Sequence, residues 1–142
     1  MPLITRVILW GAGTLVSVAI ISVLLFWYYA PDMCGNDVIS ESNSPDGTKR
    51  VVVFQRDCGA TTGFSTQASV LPINLPLPNK GGNLFSSDTD DGAAPSGSGG
   101  GPALNVKWES AHSVVLTYHP KVRVFNAVPE AEGIHVRYIT TP

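Results

Sequence analysis

Hydrophobic residues fall into one unbroken run near the N-terminus, followed by segments in which apolar and polar positions alternate. From Val7 to Tyr29 no residue is charged. At about 1.5 Å of rise per residue the run makes roughly 34 Å of helix, enough to cross a bilayer's hydrocarbon core. It predicts a transmembrane helix over 7–29 with residues 1–6 as a short stub before it. Beyond the run the period drops to two. Lys49 to Arg56, with Val51, Val52, Val53 and Phe54 at its centre, follows the tight-turn sequence Ser44-Pro45-Asp46-Gly47 and reads as a strand. Gly59 to Gly63 breaks it, and Phe64 to Leu71 is placed to return antiparallel. From Leu104 onward four sets take alternate positions: Leu104, Val106 and Trp108; Val114, Leu116 and Tyr118; Val122 and Val124; Ile134, Val136 and Tyr138. Half-buried strands carry this pattern. The short breaks at Glu109 to His112, Pro120 and Val128 to Gly133 predict an antiparallel meander paired in chain order.

The predicted fold class is therefore a single N-terminal transmembrane α-helix followed by a small all-β domain, an antiparallel sheet of about six strands. Residues 30–44 are polar and irregular and read as a tether, and the β domain is expected over 45–142. Pro72, Pro76 and Pro78 end the central ladder. Residues 79–102 are rich in Gly, Ser and Asp, a composition expected to bury too little surface to offset chain entropy, and they read as a mobile or ligand-binding loop.

The flanks of the apolar run favour an uncleaved anchor over a cleaved signal peptide. Ala30 has bulky Tyr28 two positions before it and Pro31 after it, a poor cleavage site. Pro31, Asp32 and Met33 before Cys34 do not suit a lipoprotein site either. Trp10 lies near one end of the run and Trp27, Tyr28 and Tyr29 at the other, where amphipathic rings settle at headgroup depth. Arg6 precedes the run, whereas Asp32, Asp37 and Glu41 follow it and no basic residue appears until Lys49. The positive-inside rule then keeps the N-terminus in the cytoplasm and exports the rest. Gly13 and Ser17, widened by Gly11, Ala12 and Thr14, form a small-residue face on which a second helix could dock.

Charge and candidate chemistry narrow the function more by exclusion than by assignment. A net charge of −2 and a pI near 5.8, with no Lys/Arg cluster, argue against nucleic acid. Cys34 and Cys58 are the two cysteines, both on the exported side, and are expected to form a disulfide. The alternative, Cys58 as a reactive thiol or Asp57 as a catalytic acid, has no base at a telling spacing. Asp88-Thr89-Asp90-Asp91-Gly92 resembles a calcium loop, but its glycine comes one position early and Gly99 stands where the bidentate Glu belongs. His112, His119 and His135 fit no compact zinc pattern, and the glycine-rich stretches lack the lysine of a phosphate loop. No cofactor or metal is expected. Outward positions of the meander collect Lys107, Lys121, Arg123, His135 and Arg137, diluted by Glu109, Glu130 and Glu132.

Ser44-Pro45-Asp46-Gly47, Arg56-Asp57-Cys58-Gly59-Ala60-Thr61-Thr62-Gly63-Phe64 and Gly82-Asn83-Leu84-Phe85, with Val106-Lys107-Trp108 later, resemble a group of short, uncharacterised bacterial membrane or envelope proteins. The likeness spans most of residues 34–139. It implies a bacterial source and one β domain, without a chemistry. The function expected from these features is a non-catalytic, membrane-anchored interaction protein of the inner membrane, an accessory or scaffold subunit touching the lipid bilayer and a membrane-protein partner. The alternative is a module that binds envelope ligands or acts as an inhibitor or immunity protein through the 59–64 turn and the 79–102 loop. A thiol-dependent enzyme ranks behind both.

Overall fold

A computed structural model describes residues 2–29, 33–59 and 63–142. The chain separates into two compact units, Met1–Met33 and Cys34–Pro142. Ala30, Pro31 and Asp32 of the expected tether, and Ala60, Thr61 and Thr62 of the 59–64 turn, lie outside the described residues.

The first unit is one helix, α1, Leu3–Tyr29. It begins before the uncharged run because Pro2 suits a helix start, its carbonyl accepting from the amides of Thr5 and Arg6. None of its residues is buried, and it is long and apolar enough to cross a membrane. Two hydroxyls inside the apolar surface are satisfied within the helix. Thr14 Oγ1 reaches the carbonyls of Trp10 and Gly11, and Ser17 Oγ donates to Gly13 O at 2.9 Å. Hydrocarbon offers a hydroxyl no other acceptor, so this back-bonding makes both residues tolerable in lipid.

The second unit is all β. Among its described residues the strands are β1 Gly35–Asn43, β2 Lys49–Asp57, β3 Ser65–Pro72, β4 Phe85–Asp88, β5 Leu104–Ser110, β6 Ser113–Tyr118, β7 Arg123–Ala127, β8 Glu130–Ala131 and β9 Ile134–Thr140. They form two sheets, β1-β2-β3-β4-β7 and β5-β6-β9-β8. Val51, Val53, Ala68, Val70 and Phe85 of the first sheet share one core with Leu104, Val114, Leu116 and Ile134 of the second. The ring of Phe85 lies 4.9 Å from that of Tyr118 and 5.8 Å from that of Tyr138. The Tyr138 hydroxyl is within hydrogen-bond distance of Val128 O, at 2.8 Å, and Leu84 O, at 3.0 Å. Burial, with the nearby Tyr118, pushes the Tyr138 phenol up to about 12.

Three expectations are corrected. Residues 35–43, expected as part of a tether over 30–44, form the edge strand β1, paired antiparallel with β2 through the Ser44–Gly47 turn. The turn holds through Gly47 N to Ser44 O at 2.9 Å and through Asp46, whose carboxylate accepts from Ser44 Oγ at 2.6 Å and from Thr48. Those hydrogen bonds, the one from Ser44 foremost, hold the Asp46 carboxyl below its ordinary value. A bulge between Val38 and Ser40 leaves Ile39 unpaired and lets it pack against the core, so the strand needs no regular alternation.

The C-terminal strands, secondly, are not a meander. β5 and β6 pair antiparallel, but β7 leaves for the first sheet, beside β4, and β9 lies parallel to β6. Leu104, Val106, Trp108, Val114, Leu116, Tyr118, Ile134, Val136 and Tyr138 do face the core, whereas Val124 is exposed. With Arg123 in the other sheet, the expected basic face does not assemble. Arg137 pairs with Glu109, Lys49 with Glu132 at 3.5 Å, and His135 lies 3.3 Å from Glu130.

Residues 79–102, thirdly, are built into the domain instead of hanging from it. They contain β4, and Leu84, Phe85, Ala94, Gly101 and Pro102 are buried. The preceding segment, 73–80, crosses the outer face of the first sheet, where Leu77 packs on Val52, Phe54 and Leu71. Both faces of β2 and β3 are consequently covered, which explains the unbroken apolar run Val51–Phe54.

Candidate functional site

The residues expected to carry function are dispersed. Cys34 and Cys58 are joined by a disulfide, and no free cysteine stands among the described residues. The bond fits the register, since Gly35 faces Asp57 at the open end of the β1–β2 hairpin and the cysteines are the next pair out. A polar cluster surrounds it. Arg56 Nη1 donates to Asn36 Oδ1 at 2.7 Å and Asn79 Oδ1 at 3.1 Å, Asn36 Nδ2 donates to the carbonyls of Pro78 and Lys80, and Asn79 Nδ2 donates to Cys34 O. The 78–80 segment is pinned there to the start of β1. Arg6, Trp10, Trp27, Tyr28 and Tyr29 are exposed on α1. Gly13 and Ser17 contribute with Leu9, Trp10, Thr14 and Val18 to a shallow notch in the helix surface.

The aspartates of the 88–92 turn find a protein cation. Arg123 Nη2 meets Asp88 Oδ2 at 2.5 Å and its Nε donates to Oδ1 at 3.1 Å, while Nη1 lies 3.3 Å from Asp90 and 3.8 Å from Asp91. Asp90 and Asp91 adopt φ of 52° and 54° within this turn. Burial raises the Asp88 carboxyl, but the hydrogen bond from Arg123 and the Asp90 amide outweigh it and hold the group below its ordinary value. A carboxylate with a depressed folded-state pKa adds stability that is complete above its unfolded value, about 3.9, and vanishes as pH falls through the folded one. Asp88→Asn is therefore expected to lower the melting temperature at neutral pH, with the gap from wild type closing progressively as pH falls below about 3.9. Melting curves between pH 2 and 7 check this. Among the described residues no three His, Cys, Asp or Glu side chains gather in a metal-binding group.

The feature of the β domain most suited to holding a ligand is a cleft on its open side, between the edge strands β1 and β5. Trp108 Nε1 donates to Ser42 O at 3.0 Å and ties the two strands together at one end. Towards Cys34 a hollow of about 320 Å³ opens, lined by Ile39, Ser40, Val53, Thr66, Ser98 and Asn105 among others. A second hollow of about 290 Å³ adjoins it, lined by Asp37, Val38, Ile39, Gln55, Ser98 and Gly99. Ile39, Ser98 and Gly99 line both.

Glycine builds this wall because nothing larger fits. A methyl group at Gly99 would lie 2.7 Å from Ile39 Cδ1, and one at Gly101 would lie 2.6 Å from Thr66 Oγ1 and 2.8 Å from its backbone nitrogen. Thr66 Oγ1 donates to Pro102 O at 2.6 Å, locking the segment in place. Asp37, at the outer mouth, is exposed and has no ion-pair partner among the described residues. The sequence offered the 59–64 turn and the 79–102 loop as the parts a ligand-binding module would use, and it did not reveal that β1 lies opposite Ser98 and Gly99. Val38-Ile39 between polar residues was the one available signal, and a bulged strand hides it. In comparisons with known proteins, no family model, no curated protein and no solved structure matches the chain.

Proposed function

We propose that the protein is a single-pass protein of a bacterial inner membrane, N-terminus cytoplasmic and β domain periplasmic, acting as a non-catalytic accessory or scaffold subunit of a larger membrane complex. The observation that carries this reading is α1: a 27-residue apolar helix with no buried residue and a small-residue notch at Gly13 and Ser17. In lipid, helices associate by close packing, and small residues permit the approach. Arg6 before the helix, the acidic residues after it, the Cys34–Cys58 disulfide and the resemblance to bacterial envelope proteins support the stated side and source.

Full-length protein purified from native membranes is expected to retain Pro2 and Leu3 at its N-terminus, to expose a C-terminal tag only on the periplasmic side, and to bring down a membrane partner in fixed ratio. Gly13→Leu, which fills the notch, should lower that partner's recovery severalfold. Protein that starts beyond Tyr29, or sediments as a bare monomer with nothing attached, overturns the reading.

The β1–β5 cleft favours a second reading, an envelope-ligand or inhibitor module, in which the β domain and not the helix makes the decisive contact. A thiol-dependent reaction has less support, because both cysteines are committed to the disulfide.

A further inference from the structure

Resting on the interaction role above, we propose that the cleft beside β1 receives an extended polypeptide segment of a partner, added as a strand along the half of β1 nearest Cys34. A small uncharged side chain of that segment enters the inner hollow, and a lysine or arginine meets Asp37.

β1 ends its sheet and pairs only with β2, so its other side presents backbone groups to any strand that approaches. Of the usual edge guards, Gly35–Asn43 has no Lys or Pro but does carry the bulge at Ile39, which leaves Gly35–Val38 as its regularly paired stretch on the Cys34 side. Its two charges differ in availability. Glu41 is held by Arg50 Nη1 at 2.9 Å, whereas Asp37 is unpaired among the described residues. Val38 beside it is 52% exposed.

The Trp108–Ser42 hydrogen bond closes one end of the gap between β1 and β5, the hollow that reaches Leu104 and Asn105 opens beyond it, and the other hollow adjoins that one along β1. One hollow is lined by Ser40 and the other by Asp37 and Val38, so both lie against the half of β1 nearest Cys34. No lining residue of either hollow is aromatic, so a sugar ring finds no flat face to stack on, and the unpaired carboxylate favours a cationic side chain.

The test pans a displayed library of random octapeptides against the full chain in detergent micelles. Enriched peptides should carry a Lys or Arg together with a small uncharged residue. Ser98→Trp, at an exposed position lining both hollows, should weaken them at least about tenfold, with melting temperature unchanged. Asp37→Lys, panned separately, should switch the selected charge to Asp or Glu. The proposal is overturned if no sequence is enriched, if Ser98→Trp binds the peptides as tightly as wild type, if Asp37→Lys selects the same charge, or if N-acetylglucosamine oligomers occupy the cleft instead. A native partner that co-purifies equally with wild type and Ser98→Trp leaves the accessory role standing and removes this inference alone.

Discussion

Gly82→Ala and Gly101→Ala are each expected to destabilise the β domain by about 2 to 3 kcal/mol, the cost of overpacking a rigid site, and to lower its melting temperature by roughly 10 °C or more. At Gly82 the added methyl would sit 2.5 Å from Ala68 O and 2.8 Å from Phe85 O. Both are backbone atoms, so no side-chain rotation relieves the clash. The site is further fixed by Gly82 N donating to Gln67 Oε1 at 2.7 Å and by Leu84 N donating to Ala68 O at 3.0 Å. At Gly101 the methyl would meet the Thr66 hydroxyl and backbone, and Thr66 is committed to Pro102 O. Gly35→Ala is the control. Nothing lies within 4 Å of its added carbon, and alanine loses less backbone entropy on folding, so the melting temperature should hold or rise slightly. Thermal unfolding of the full chain in detergent, followed at the β-sheet circular dichroism band, separates the three. Equal melting temperatures would mean that the 79–102 segment is loosely attached after all.

That contrast shows where the sequence was legible and where it was not. A glycine-rich run usually cannot bury enough side chain to fold, but here the glycines permit burial by letting backbone lie directly against Ile39, Phe64 and Thr66. Composition registers the missing side chains and is silent on the atoms they make room for. α1 and β2 were plain from pattern alone, because one is uniformly apolar and the other has an apolar centre wide enough to be covered on both faces. The core positions of β5, β6 and β9 were equally plain, since each strand holds one face against a common interior.

Strand partnership was not legible. Val122 and Val124 alternate in the same style as the neighbouring sets, yet Val122 falls before β7, and within it Val124 and the adjacent Phe125 are exposed. What directs β7 to β4 is a register beside Ser86–Asp88 and the Arg123–Asp88 pair, a contact between residues far apart in sequence. The cleft was half legible for the same reason. One wall, Ser98–Gly99, stood out by composition, and the other, β1, is a polar edge strand whose alternation the bulge at Ile39 interrupts.

Loss of the disulfide is the second large effect. Cys34→Ser together with Cys58→Ser is expected to cost about 3 kcal/mol, from the entropy the crosslink removes from the unfolded chain. The crosslink encloses the whole β1–β2 hairpin, so the loss should be felt unevenly. β1 has one neighbour in its sheet, and its two ends are fastened by different means: the Asp46-braced turn at one, the crosslink and the Asn36, Asn79 and Arg56 hydrogen bonds at the other. With the crosslink gone, the pairs Gly35↔Asp57 and Asn36↔Arg56 are the first to open, and Asp37 and Val38 follow because only β2 holds them. Hydrogen exchange should therefore quicken at the β1 amides by a larger factor than at those of β2 and β3, where a strand lies on either side. Peptide capture in the cleft should fall in parallel, since the strand that frays is one of its walls. Uniform acceleration across both sheets would show instead that the crosslink acts on the whole domain at once, and would remove the reason to expect peptide capture to fall with it.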